Sequence, residues 1–155
     1  MRIALFEPEI AGNVGAVLRL GACMGVAVEL IEPLGFAWDD RRVRRTAMDY
    51  IAHVEVRRHA SFDAFRQTVG SGRLVLFTTK ASQPYLQYRY APDDILLFGR
   101  ESAGVPDDVA ATADARLVIP VASGLRSLNV AMAAAMALGE ALRQTGRQNN
   151  GMPGQ

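Results

Sequence analysis

Six apolar runs of strand length, separated by stretches of helical pattern, constrain this chain more than any other feature. They are RIALF near the start, VAVELI at 26–31, HVEVR at 53–57, RLVLFTT at 73–79, DILLFG at 94–99 and ARLVIP at 115–120. Their β-branched and aliphatic residues match strands buried on both faces, as in a parallel sheet. Helical segments at about 13–24, 61–69, 106–112 and 127–144 alternate with them. Repeated β-then-α order predicts an α/β fold, a mainly parallel sheet with helices on both faces. Gly25 is suited to end the first helix, Ser61 with Asp63 to cap the 61–69 segment, and Pro106 to open the next helix.

At 155 residues, half of them hydrophobic, the chain has the length of one domain and can bury a core without disulfides or metals. We expect a single domain over 1–145 and a disordered tail over 146–155, where GRQNNGMPGQ is polar and rich in Gly and Asn. Cys23 is the only cysteine, and His53 and His59 lack partners at metal-ligand spacing. No metal and a reducing, cytoplasmic setting are therefore expected. Glu7, Pro8 and Glu9 interrupt the first apolar run, unlike a secretory signal. The segment from Leu128 to Leu142 carries Asn129 and Glu140 and falls short of the roughly 20 apolar residues that span a bilayer. It reads as a buried, alanine-rich helix, with no membrane partner.

Net charge is only +1, so the overall balance gives no support for nucleic-acid binding. Lys80 is the only lysine, and nearly all positive charge is therefore arginine. A planar fork of donors suits arginine to phosphate, although a GC-rich genome produces the same bias.

Ligands of α/β sheets bind at the carboxyl ends of strands, which directs attention to the loops there. The first, EPEIAGNVGAVLRL at 7–20, has Ile10 where G-x-G-x-x-G needs its first glycine, and no P-loop precedes Lys80. It offers instead Asn13 and Arg19 as a polar pair aimed at the strand ends, or else a helix capped by Asn13 with Arg19 exposed. The second, FGRESAGVP at 98–106, sets Glu101 between Gly99 and Gly104, glycines that permit close backbone approach to a ligand or simply a tight turn. In the third, IPVASGLRSLNVA at 119–131, Arg126, Ser127 and Asn129 gather near a helix start, where Ser127 or Asn129 also suits a cap. Together the loops collect polar groups around Ile119 and Leu128, a combination suited to a flat apolar ring with a charged end.

The order N-x-G-x-x-x-R at 13–19, E-P-L-G-F-A-W-D-D at 32–40, F-G-x-E-S-x-G-V-P at 98–106 and I-P…R-S-L-N at 119–129 resembles the TrmL (YibK) family of SPOUT methyltransferases. The match runs from Met1 to about Gln144. The resemblance implies a SPOUT fold with a C-terminal trefoil knot, a homodimer, and S-adenosyl-L-methionine as cofactor. It further implies 2′-O-methylation of the wobble nucleotide, a cytidine or modified uridine, in the anticodon loop of leucine tRNAs. Carried over by position, cofactor contacts fall at Phe77, Thr78, Gly99, Glu101, Ile119, Ser127 and Leu128, and catalytic roles at Arg19, Asn13 and Arg126. The chain departs from the family pattern at Ala11 and Gly12, where two prolines are frequent, at Arg100 and Ala103, and at Gly139, where tyrosine is common.

Free arginine stays protonated near neutral pH, so Arg19 is suited to clamp a phosphate and orient the ribose hydroxyl rather than to act as a base. Arg41, Arg42, Arg44 and Arg45 in the run DDRRVRR are either RNA phosphate contacts or a solvated face. Two alternatives stay open: a SPOUT methyltransferase for another RNA site, and a non-catalytic RNA-binding module of the same fold. Ala131, Ala134, Ala135 and Gly139 are expected to let helices pack closely across a dimer.

Overall fold

The run from Arg2 to Phe6 forms strand β1, an interior strand of a seven-stranded sheet, in a computed structural model that describes residues 1–38 and 48–146. Around it lie β2 (Ala27–Ile31), β3 (Val56–His59), β4 (Leu74–Phe77), β5 (Gln83–Pro84), β6 (Ile95–Phe98) and β7 (Ala115–Val118). The order is β3-β2-β1-β6-β4-β7-β5, and every pairing is parallel. Strands β4 and β6 are buried along their whole length, as continuous apolar runs require.

Side chains alternate between the two faces of the sheet. Ile3, Leu5, Val28, Leu30, Val75 and Leu96 pack toward helices α1 (Ala11–Met24) and α4 (Val130–Thr145). Ala4, Leu74, Leu76, Ile95 and Leu97 pack on the opposite side against Phe65 of α2 (Phe62–Arg66) and Val109 of α3 (Asp107–Ala111). Helix α1 buries Val14, Val17, Leu18 and Gly21, the i, i+3, i+4, i+7 stripe of a core-facing helix. It stops at Gly25, which takes the left-handed conformation at φ 61° while the Val26 N–H returns to the Gly21 carbonyl.

Sheet pairing moved some expected boundaries. The run 53–57 is largely not strand: Met48–His53 forms a 3₁₀ turn, and β3 starts at Val56, opposite Val28. Two-residue β5 has no apolar signature and exists because Gln83 and Pro84 pair with Leu117 and Val118 at the sheet edge. Proline is tolerated at such an edge. Helix α2 keeps its expected Ser61 cap, whose hydroxyl accepts from the Ala64 N–H, but ends at Arg66. Pro106 occupies the capping position just before α3. Gly146 closes α4 in a left-handed conformation and so belongs to the helix end; the rest of the expected tail, 147–155, lies outside the described residues. None of the described helices is long and apolar enough to cross a membrane. Among the described residues no cluster of three or more His, Cys, Asp and Glu is arranged to hold a metal ion.

One buried charge cluster is centred on Glu29, midway along β2. Glu29, fully buried on β2, accepts from Arg2 Nη1 at 3.0 Å and Arg57 Nη1 at 3.4 Å, and its other oxygen lies 2.6 Å from His59 Nε2. Its cationic partners Arg2 and Arg57 retain access to water. Removing one member of a buried ionic group costs about 3–5 kcal/mol, and partial hydration of the arginines puts Glu29→Ala near the lower end. A lower urea midpoint with unchanged m-value is the expected result; an unshifted midpoint contradicts the assignment.

Candidate active site

Loops at the carboxyl ends of β1, β4, β6 and β7 build the site. After β1 the backbone turns at Glu7, a non-glycine residue at φ 44° whose carboxylate pairs with Arg100 at 3.2 Å. After β6 the loop folds back on itself, Arg100 and Gly104 exchanging two backbone hydrogen bonds of 2.9 Å. Glycine at 99 is what lets it close. A Cβ there would lie 2.4 Å from the carbonyl carbon of Gly104, closer than any real contact. After β7 the chain stays irregular until Asn129, whose Oδ1 accepts from the Ala131 and Met132 N–H groups and starts α4.

Hydrogen bonds tie the loops together. Asn13 Nδ2 donates to Glu101 Oε1 at 2.9 Å, and Asn129 Nδ2 donates to Asn13 Oδ1 at 2.8 Å. The backbone N–H of Glu9 donates to the other Glu101 oxygen at 2.9 Å. Asn129 therefore acts as helix cap and loop bridge at once. Asn13 does not cap α1: the capping position is Ile10, which makes no side-chain bond, and Asn13 sits within the first turn facing the other loops.

A cleft of about 550 Å³ opens beside this network. Phe77 and Phe98, partners across β4 and β6, stack at 4.9 Å along it. Every cofactor position expected from sequence lines the cleft: Phe77, Thr78, Gly99, Glu101, Ile119, Ser127 and Leu128, with Arg126 beside them. Phe98, Ser102, Gly104 and Ala133 line it as well. Phe98 and Ser102 lie inside the F-G-x-E-S motif, and Ala133 lies one helical turn beyond Asn129, so loop adjacency and helix period were the available signals. A smaller adjoining pocket of about 260 Å³ includes Ile10, Asn13 and Asn129, and shares Glu101, Ser127, Leu128 and Val130 with the cleft.

Arg19 departs from expectation. It follows Asn13 by six residues, roughly 9 Å further along the helix axis, and its guanidinium lies over the Tyr50 ring at 4.9 Å. Neither pocket of its own chain includes it. Asn13 and Arg19 thus do not form one pair at the strand ends. Arg41, Arg42, Arg44 and Arg45 lie outside the described residues.

The model of the SpoU rRNA methylase family matches residues 1–139. This chain belongs to the SpoU family. It is 59% identical over 146 residues to the tRNA (cytidine(34)-2′-O)-methyltransferase of Beijerinckia indica, covering 93% of this chain and 91% of that relative. A solved structure described as giving insight into 2-OH methylation of C/U34 on tRNA superposes at a TM-score of 0.89 and 38% identity, covering 92% of this chain and 94% of that one. An AdoMet-bound rRNA methyltransferase from Sinorhizobium meliloti matches at a TM-score of 0.82 and 28% identity. There the overlap is 92% of this chain and 55% of the other.

Proposed function

We propose that this SpoU-family protein transfers a methyl group from S-adenosylmethionine to the ribose 2′-hydroxyl of nucleotide 34 in cytoplasmic tRNA, the site named for its Beijerinckia relative. The observation that carries this reading is the pair of adjoining pockets that share Glu101, Ser127 and Leu128 as a wall. The larger fits the cofactor in size and in chemistry, with aromatic and aliphatic surface for an adenine and a few convergent polar groups. Phe77, Thr78, Gly99, Ile119, Ser127 and Leu128 would hold it there. Bound S-adenosylmethionine supplies an electrophilic methyl group on a sulfonium.

The smaller pocket suits the ribose of the target nucleotide. Asn13 has one N–H and one acceptor lone pair beyond its bonds to Glu101 and Asn129. Held at both ends, its amide is preorganised to fix the direction of a hydroxyl. In-line displacement depends on that placement and on keeping water away. A single-stranded anticodon loop suits such reading because its bases can be splayed out. Leucine tRNAs are the substrates implied by the TrmL resemblance.

The reading includes a homodimer. Ile10, Leu128, Met132 and Met136 are exposed at 49, 40, 63 and 42%, a concentration of apolar surface that a lone soluble domain rarely leaves open. Ala135 and Gly139 are exposed along the same helix α4, whereas Ala134 is fully buried in the core and is not available to a partner. Because Arg19 lines neither pocket of its own chain, its phosphate-clamping role is assigned across the dimer. The C-terminal trefoil knot implied by the TrmL resemblance belongs to the same reading.

Titration calorimetry with S-adenosylmethionine tests the cofactor assignment: one site per chain is expected, and absence of binding heat over a range of temperatures contradicts it. Sedimentation at micromolar concentration should give a dimer, and a monomer that keeps full activity would remove the partner's role.

A further inference from the structure

We propose that Glu9, which lines neither pocket, is a positioning residue for methyl transfer: it locks the 98–106 loop against the β1–α1 loop and thereby fixes Asn13 and the cleft wall. The inference rests on the function proposed above.

Glu9 reaches the second loop at two points more than ninety residues away in sequence. Its carboxylate accepts the Ser102 N–H at 2.8 Å and the Ser102 hydroxyl at 2.7 Å, one on each oxygen. Its backbone N–H occupies Glu101 Oε2, while Asn13 occupies Oε1. The plane of the Glu101 carboxylate is thus set from both sides. Ser102 lines the cleft and Glu101 lines both pockets, so a shift of Glu9 moves a wall of each. The Ser102 hydroxyl, followed by its N–H, holds the Glu9 carboxyl below the ordinary carboxylate range and keeps it an acceptor at working pH.

The backbone that carries Glu9 is packed closely by Gly35, whose N–H donates to the Pro8 carbonyl at 3.0 Å. A Cβ at Gly35 would lie only 2.7 Å from the Glu9 Cα. The E-P-L-G-F segment at 32–36 therefore acts as a backstop, and Glu9 is a strut between it and the 98–106 loop.

The test compares Glu9→Ala, Glu9→Gln and Ser102→Ala in steady-state methylation of tRNA, with cofactor affinity by calorimetry and folding by thermal melting. Glutamine can restore both bonds, its oxygen accepting the Ser102 N–H and its amide donating to the Ser102 hydroxyl. Glu9→Ala should lose on the order of thirtyfold to a hundredfold in kcat, the scale of a small misplacement. Cofactor affinity should also fall, while the KM for tRNA and the melting midpoint stay at parent values. Glu9→Gln should stay within about threefold of the parent, and Glu9→Ala with Ser102→Ala should be no worse than Glu9→Ala alone, as residues of one unit behave. Equal defects in Ala and Gln variants, additive losses in the double variant, or activity lost in step with melting would each overturn the positioning role. The parent protein separates this from the underlying reading. If the parent binds cofactor but methylates no tRNA, the proposed function fails, and the Ala-against-Gln contrast in cofactor affinity still decides the role of Glu9.

Discussion

Gly99→Val is expected to weaken S-adenosylmethionine binding on the order of a hundredfold or more while leaving a folded protein. The added Cβ would meet the backbone of Gly104, with its carbonyl carbon at 2.4 Å, Cα at 2.7 Å and oxygen at 2.8 Å. Backbone cannot rotate away as a flexible side chain can. The Arg100–Gly104 hydrogen bonds must open, carrying Glu101 and Ser102 off the cleft wall. Overpacking of this kind costs about 1–3 kcal/mol, less than the stability of a typical domain. Circular dichroism should therefore show native secondary structure with a lowered midpoint. Gly12→Ala is the matched control, because nothing lies within 4 Å of a Cβ at that position. Cofactor affinity within a few-fold of the parent in Gly99→Val would show that the closed loop is dispensable.

Arg19→Lys is expected to fold, dimerise and bind cofactor normally, yet to lose on the order of a hundredfold in single-turnover rate at saturating tRNA. Lysine keeps the charge but loses the planar fork that grips phosphate at two points. It also changes the cation–π contact that the guanidinium makes over the Tyr50 ring at 4.9 Å. Since Arg19 lies outside both pockets of its own chain, its defect should be repairable by a partner. Mixed with Asn13→Ala, which damages the pocket of its own chain, the heterodimer has one site with both residues intact. Random exchange of subunits should then recover about a quarter of parent activity from two weak proteins. No recovery would place Arg19 at its own chain's site, and a Lys variant within a few-fold of the parent would reject the orienting role altogether.

Sequence and structure agree most where one local cause acts alone. The buried runs of β1, β2, β4 and β6 announce themselves because apolar residues fill both faces. Gly25 and Ser61 end and begin helices through their own backbone and hydroxyl chemistry. Strand β5 and the start of β3 were not legible, because they depend on which edge the chain meets rather than on their own residues. At the site, the glycine-containing loops and Ile119, Ser127 and Leu128 were visible as motifs, and the structure gathers them at one cleft. What sequence order did not convey was the division of labour within a motif. Asn13 and Arg19 share one helix but not one pocket, because helical rise separates them. Glu29 carries no local signal within its apolar strand, because its partners Arg2, Arg57 and His59 come from neighbouring strands brought together by parallel register.

The measurement closest to the central claim uses unmodified tRNA, the purified protein and S-adenosylmethionine carrying a labelled methyl group, followed by mapping of the labelled nucleotide. Label is expected on the ribose 2′-oxygen of nucleotide 34, and Gly99→Val should abolish it. Label on a base, at another nucleotide, or in ribosomal RNA in preference to tRNA would contradict that assignment.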